Sequence, residues 1–169
     1  LYYVLEKGNY YLEDNLTLGG IRIKTRGEVN LCLNGHSITQ DIKNSAIVVE
    51  TRSTFSLCDC KSTGSNGSIL HIEESKGYYG ISIDGTFNMY GGVISGSSKS
   101  GGVEVSSTGT FNMYGGEISG NKWGVAVQST PYSVNGIFNM YGGVIRGNEG
   151  GESGGGVVVG ESATFNMSG

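Results

Sequence analysis

The chain has 169 residues, 31 of them glycine and one proline, with a formal charge of −4 at neutral pH. Its 11 Lys and Arg form no cluster or stripe along the sequence, which argues against nucleic acid as a partner. No stretch approaches the roughly 20 apolar residues that a membrane-spanning helix needs, so no membrane insertion is expected. The recurring Ile, Val, Leu, Phe and Met exclude a disordered tract, and so much Gly beside β-branched residues points to many short strands joined by tight turns.

The first residues, Tyr2 to Leu18, do not match anything later in the chain. A solenoid needs a cap at an open end to cover its strand edges and core. Residues 1–20 are therefore predicted to form an amino-terminal cap, with Tyr10-Tyr11-Leu12 and Leu16-Thr17-Leu18 as lead-in strands. Residues 21–169 carry the repeat. Val29-Asn30-Leu31 and Phe55-Ser56-Leu57 are degenerate copies of a Phe-Asn-Met strand whose starts lie 26 residues apart. Phe55 to Phe87 spans 32, and the surplus reads as a loop insertion at 61–67.

The repeat is unmistakable from residue 85. Gly85-Thr86-Phe87-Asn88-Met89-Tyr90-Gly91-Gly92-Val93-Ile94-Ser95-Gly96 returns from Gly109 and again from Gly136, and a fourth copy opens at Ala163-Thr164-Phe165-Asn166-Met167. The Phe positions are 24, 27 and 27 residues apart. Between copies stands a β-branched triplet: Ile47-Val48-Val49, Ile81-Ser82-Ile83, Val103-Glu104-Val105, Val125-Ala126-Val127, Val157-Val158-Val159. Each period thus holds three short strands and three turns. That is one coil of a parallel β-helix, whereas a WD40 blade needs about 40–45 residues. The expected fold is all-β, a right-handed parallel β-helix of about six coils, the last incomplete. Because the chain opens on Leu1 and stops within a repeat, it is expected to be a monomeric segment of a larger protein.

Period-2 alternation assigns the faces. Phe87, Phe111, Phe138 and Phe165 point inward, with Met89, Met113, Met140 and Met167 beside them. Asn30, Asn88, Asn112, Asn139 and Asn166 point outward and stack as an amide ladder that holds register. Tyr90, Tyr114 and Tyr141 form a second outward ladder. It reads first as a spine that pins register, and second as a ligand-binding stripe on which sugars stack.

The succession Gly8-Asn9-Tyr10-Tyr11-Leu12, Val29 to Ile38, Phe55-Ser56-Leu57-Cys58-Asp59-Cys60, then tandem Phe-Asn-Met-Tyr-Gly-Gly-x-Ile coils resembles a family. It is similar to the adhesin-like β-helical repeat regions of large surface proteins from Gram-positive, often gut-dwelling, bacteria. The resemblance covers nearly the whole chain. It implies a right-handed β-helix and a secreted or wall-anchored location, and it brings no catalytic motif.

Cys32 and Cys58 occupy equivalent places on adjacent coils, at a spacing that fits a disulfide. A Cys32–Cys58 bond leads, with free thiols and a Cys32–Cys60 bond as alternatives. A three-thiolate metal site lacks an evident fourth ligand, so no metal or cofactor is expected.

Carboxylates are scattered at Asp41, Glu50, Asp59, Glu73, Glu74, Asp84, Glu104, Glu117, Glu149, Glu152 and Glu161. Asp84 and Glu104, near the same strand on neighbouring coils, make the best acid pair for glycoside chemistry. His36 and His71 sit in turn or strand-end contexts without triad or metal-ligand spacing, and are read as solvated or turn histidines. The leading functional expectation is a non-catalytic surface solenoid, a stalk or adhesin segment that binds host glycan or surface protein. The alternative is a polysaccharide lyase or glycosidase with its site near the loops at 61–67, 73–80 or 128–135.

Overall fold

A computed structural model describes all residues except 1, 41, 61–65, 73–76, 131–134, 152–153 and 169. Glu73, Glu74, Asp41 and Glu152, and parts of the three loops, lie outside the described residues. The described residues form twenty short strands in three parallel sheets of seven, seven and six. Successive strands pass from sheet to sheet, so each full coil contributes one strand to each, and the last described coil contributes to the first two. The fold is a right-handed parallel β-helix with three strands per coil and about six to seven coils. Among the described residues no helix is long and apolar enough to cross a membrane.

Register follows the repeat residue by residue. In the second sheet Val29, Phe55, Phe87, Phe111, Phe138 and Phe165 are successive partners, so the two disguised copies fall where the sequence puts them. The Phe rings stack with centroids 4.7–5.5 Å apart, and those of residues 55, 87, 111 and 138 are fully buried. Ile47, Ile81, Val103 and Val125 line the first sheet's inner face, and Ile38, Ile69, Ile94 and Ile118 the third's. Met89 and Met113 are buried, Met140 is half-buried and Met167 is 74% exposed, because its strand has a neighbour on one side only.

Glycine is required at the corner after the Phe-Asn-Met strand. Gly92, Gly116 and Gly143 have φ of +86° to +88°, where a side chain is strained. A Cβ on Gly116 would lie 2.5 Å from the Met89 methyl, and one on Gly143 would lie 2.6 Å from the Met113 methyl. Each Met therefore fills the space left by the Gly of the next coil.

Within residues 1–20, where a cap with lead-in strands is expected, the strands are built into the stack. Strands Tyr3–Leu5, Gly8–Tyr11 and Leu16–Thr17 each pair with the next coil, one strand in each sheet. They make a coil of their own. Gly8 takes the Phe position, and the Tyr10 ring lies 3.6 Å from where a Gly8 Cβ would stand. One aromatic ring, two residues along, covers the end of the Phe column.

Candidate functional site

The outer face of the first sheet gathers a mixed aromatic and polar patch. In strands Ile81–Ile83, Gly101–Val105, Trp123–Val127 and Val157–Val159, Ser82, Glu104, Ala126 and Val158 are successive register partners, flanked in the first three strands by buried Ile and Val. Gly101 is the register partner of Trp123. A Cβ on Gly101 would meet the Tyr79 ring at 3.2 Å, so glycine lets that ring lie close across the sheet beside Trp123. Tyr79 and Trp123 together border two adjoining depressions. One, of about 170 Å³, continues over Ala126, Gln128 and Val158; the other, of about 470 Å³, runs toward Lys99, Lys122 and Glu149. The Trp123 indole nitrogen is a buried donor with no protein partner among the described residues.

Glu104 anchors the polar side of the patch. Its carboxylate accepts from the Ser82 hydroxyl at 3.1 Å and from the Gln128 amide at 3.5 Å, and it interacts with the Tyr79 hydroxyl. Burial pushes the Glu104 carboxyl above its ordinary value and the Asp84 charge adds to this, against the pull of those three donors. Tyr79 is pushed up to about 12, by burial first and the Glu104 charge second. The Asp84 charge thus acts on Glu104, but the register partner of Glu104 is Ser82 rather than Asp84.

A carboxyl raised in the folded state binds its proton more tightly folded than unfolded. Its charge therefore costs stability above the folded value, and that cost is gone below the unfolded value. Glu104→Gln should accordingly melt above the wild type at about pH 7, with the gap closing near about pH 3. Calorimetry at both pH values checks this; a gap that does not change with pH would refute the burial argument.

The tyrosine ladder is present, with rings 54%, 45% and 50% exposed at Tyr90, Tyr114 and Tyr141. The rings stack on one another at 4.9 and 5.1 Å, with planes 7° and 14° apart. Both faces of Tyr114 are thereby occupied by its neighbours. A sugar stacks on a ring face, so this geometry suits register-pinning better than ligand binding. The Asn ladder is continuous in the same way, with amide-to-amide bonds of 2.9 Å linking Asn88, Asn112, Asn139 and Asn166.

The cysteines pair differently from the leading expectation. Cys32 is bonded to Cys60, with Cα atoms 5.9 Å apart, and Cys58 is the free thiol. Cys32 and Cys58 are indeed register partners, but in-register side chains project in parallel and their Cβ atoms do not lean together as a disulfide requires. Cys60 lies past the strand end, where the chain doubles back over Cys32 and its N–H reaches the Cys32 sulfur at 3.0 Å. Asp59 holds that corner, accepting from the Gly35 and Gly67 N–H groups at 2.7 Å each. Burial, then the Asp59 charge, pushes the Cys58 thiol up.

Two further expectations change. His71 is fully buried rather than solvated, with Nε2 at 2.9 Å from the Asn44 carbonyl oxygen. Lys24, Arg26 and Arg52, scattered in sequence, line one depression of about 390 Å³ together with Glu50, so the fold makes a basic corner that the linear sequence hides. By sequence Tyr79 reads as a loop aromatic, and Trp123 carries no assigned role. The lone Trp lies outside the repeated block, and a residue that breaks a repeat on an outward face was the available signal. No protein-family model, curated protein or solved structure matches the chain. The fold itself defines a β-helical solenoid.

Proposed function

We propose that the chain is a non-catalytic segment of a secreted or cell-surface bacterial protein, an adhesin- or stalk-like solenoid that binds a glycan at the Tyr79–Trp123 patch. The observation that carries this is the pair of aromatic side chains on an outer sheet face, Tyr79 and Trp123, which together border two depressions. Aromatic faces take the apolar face of a sugar, and Gln128 and Glu104 beside them are suited to its hydroxyls. The Tyr and Asn ladders are occupied with one another along the coil stack, which favours a stiff, extended support over a second binding face.

A glycan array should return a saccharide that the wild type binds and leaves intact. Trp123→Ala should weaken that binding at least about tenfold, the loss of roughly 1.4 kcal/mol expected for a modest hot spot. Unchanged binding by the variant would remove the patch from consideration. The enzyme reading draws on one observation, the raised carboxyl of Glu104 within reach of the Asp84 charge, which is the tuning a general acid needs. Depolymerisation of a bound polysaccharide, lost in both Asp84→Asn and Glu104→Gln, would establish it instead.

A further inference from the structure

Cys32, Cys58 and Cys60 bring three sulfur atoms within 4.8 Å of one another. Two independent features hold them there besides the Cys32–Cys60 bond. The strands Glu28–Cys32 and Thr54–Cys58 are paired over five residues, which fixes Cys32 beside Cys58. The Asp59 carboxylate, bound to two backbone N–H groups from different turns, fixes the direction of the chain from Cys58 to Cys60. The convergence therefore does not depend on the disulfide.

We propose that, once the Cys32–Cys60 bond is reduced, the three cysteines form a binding site for a soft d10 cation of the Cu(I) or Zn(II) class. A thiol or phosphine reductant supplies two electrons, and two protons from solvent complete the Cys32 and Cys60 thiols. All three thiols then release their protons as the sulfurs bind the cation. Thiolates select such ions, and metal–sulfur bonds of about 2.3 Å place ligand sulfurs roughly 3.8 Å apart. The non-bonded Cys58 and Cys60 sulfurs already stand at 3.6 Å. The Cys60 N–H at the Cys32 sulfur and the Asp59 clamp form the outer shell that orients the ligands. With no fourth Cys, His, Asp or Glu in the cluster among the described residues, the cation is three-coordinate or keeps one position open to solvent. Cys32 is buried, Cys58 half-buried and Cys60 exposed, which gives the ion a path in from one side.

The test titrates Cd(II) into the full chain after reduction with a phosphine, following the sulfur-to-metal charge-transfer absorption. The reduced wild type should bind one Cd(II) per chain, and the oxidised protein should show no such band. Competition with Cu(I) in one arm and Zn(II) in the other identifies the preferred ion. Cys58→Ser, which keeps the Cys32–Cys60 bond when oxidised, should bind Cd(II) at least about 100-fold more weakly after reduction. Asp59→Asn, which keeps all three sulfurs, should cost roughly 10- to 100-fold. Equal binding by wild type and Cys58→Ser would overturn the three-sulfur site. So would the absence of a band in the reduced wild type, or loss of its sheet circular dichroism on reduction, since the strands and Asp59 are required to hold the cluster unaided.

Discussion

Phe111→Ala should destabilise the protein by about 3–5 kcal/mol, the usual cost of emptying a buried phenyl site. Phe111 is fully buried, and its ring lies 4.9 Å from that of Phe87 and 4.7 Å from that of Phe138. Removing it leaves a cavity between two rings that the backbone register holds in place, so the coils cannot close in on the gap. Two stacking contacts disappear as well, each worth about 0.5–1.5 kcal/mol beyond the buried area. Phe165 is the control, because among the described residues its ring stacks on Phe138 alone and it is partly buried. Phe165→Ala should cost less than half as much. Urea unfolding of the two variants checks this, and equal losses would mean that the column does not act as a stack of nearest neighbours.

The Phe column was legible because both its period and its face are written in the sequence. Val29 and Phe55 could be aligned with Phe87 since an apolar residue at that position must point inward whatever its identity. In the first coil two strands were legible, but the Phe position was not, for the opposite reason. At the end of the stack Gly8 occupies the Phe position and the ring that fills the space comes from Tyr10, so the pattern is shifted by two residues although Asn9 keeps its place beneath Asn30. Cysteine pairing escaped because it depends on the path of the chain after the strand ends, set by Asp59 reaching Gly35 and Gly67. The Tyr79–Trp123 patch escaped because the two aromatics are 44 positions apart in sequence and meet across Gly101.

Asn121 is a comparable omission, and its replacement is the second large effect expected. In the sequence, Ser97, Asn121 and Asn148 each follow a Gly that closes the third strand of a coil, with nothing to mark them as interior. In the fold Asn121 is fully buried. Its Oδ1 accepts the Ser97 N–H at 3.1 Å, and its Nδ2 donates to the Ile94 and Ser119 carbonyls and to Asn148 Oδ1, each at 3.1 Å. It ties three successive coils together at one corner. Asn121→Leu would leave the Ser97 N–H and the Ile94 carbonyl without this partner in the interior, at about 1–3 kcal/mol for each group, so a loss of about 2–6 kcal/mol is expected. Asn121→Asp separates shape from hydrogen bonding. It keeps the acceptor for Ser97 but turns a carboxylate oxygen toward the Ile94 and Ser119 carbonyls. Burial beside those carbonyls raises the new carboxyl in the folded state, so its cost is greatest above that raised value and recedes as the pH falls through it. Thermal melts of Asn121→Asp should therefore approach the wild type in acid and fall away from it toward neutrality, while Asn121→Leu stays equally low throughout. Parallel pH profiles for the two variants would mean that Asn121 fills space at the corner without bonding the coils.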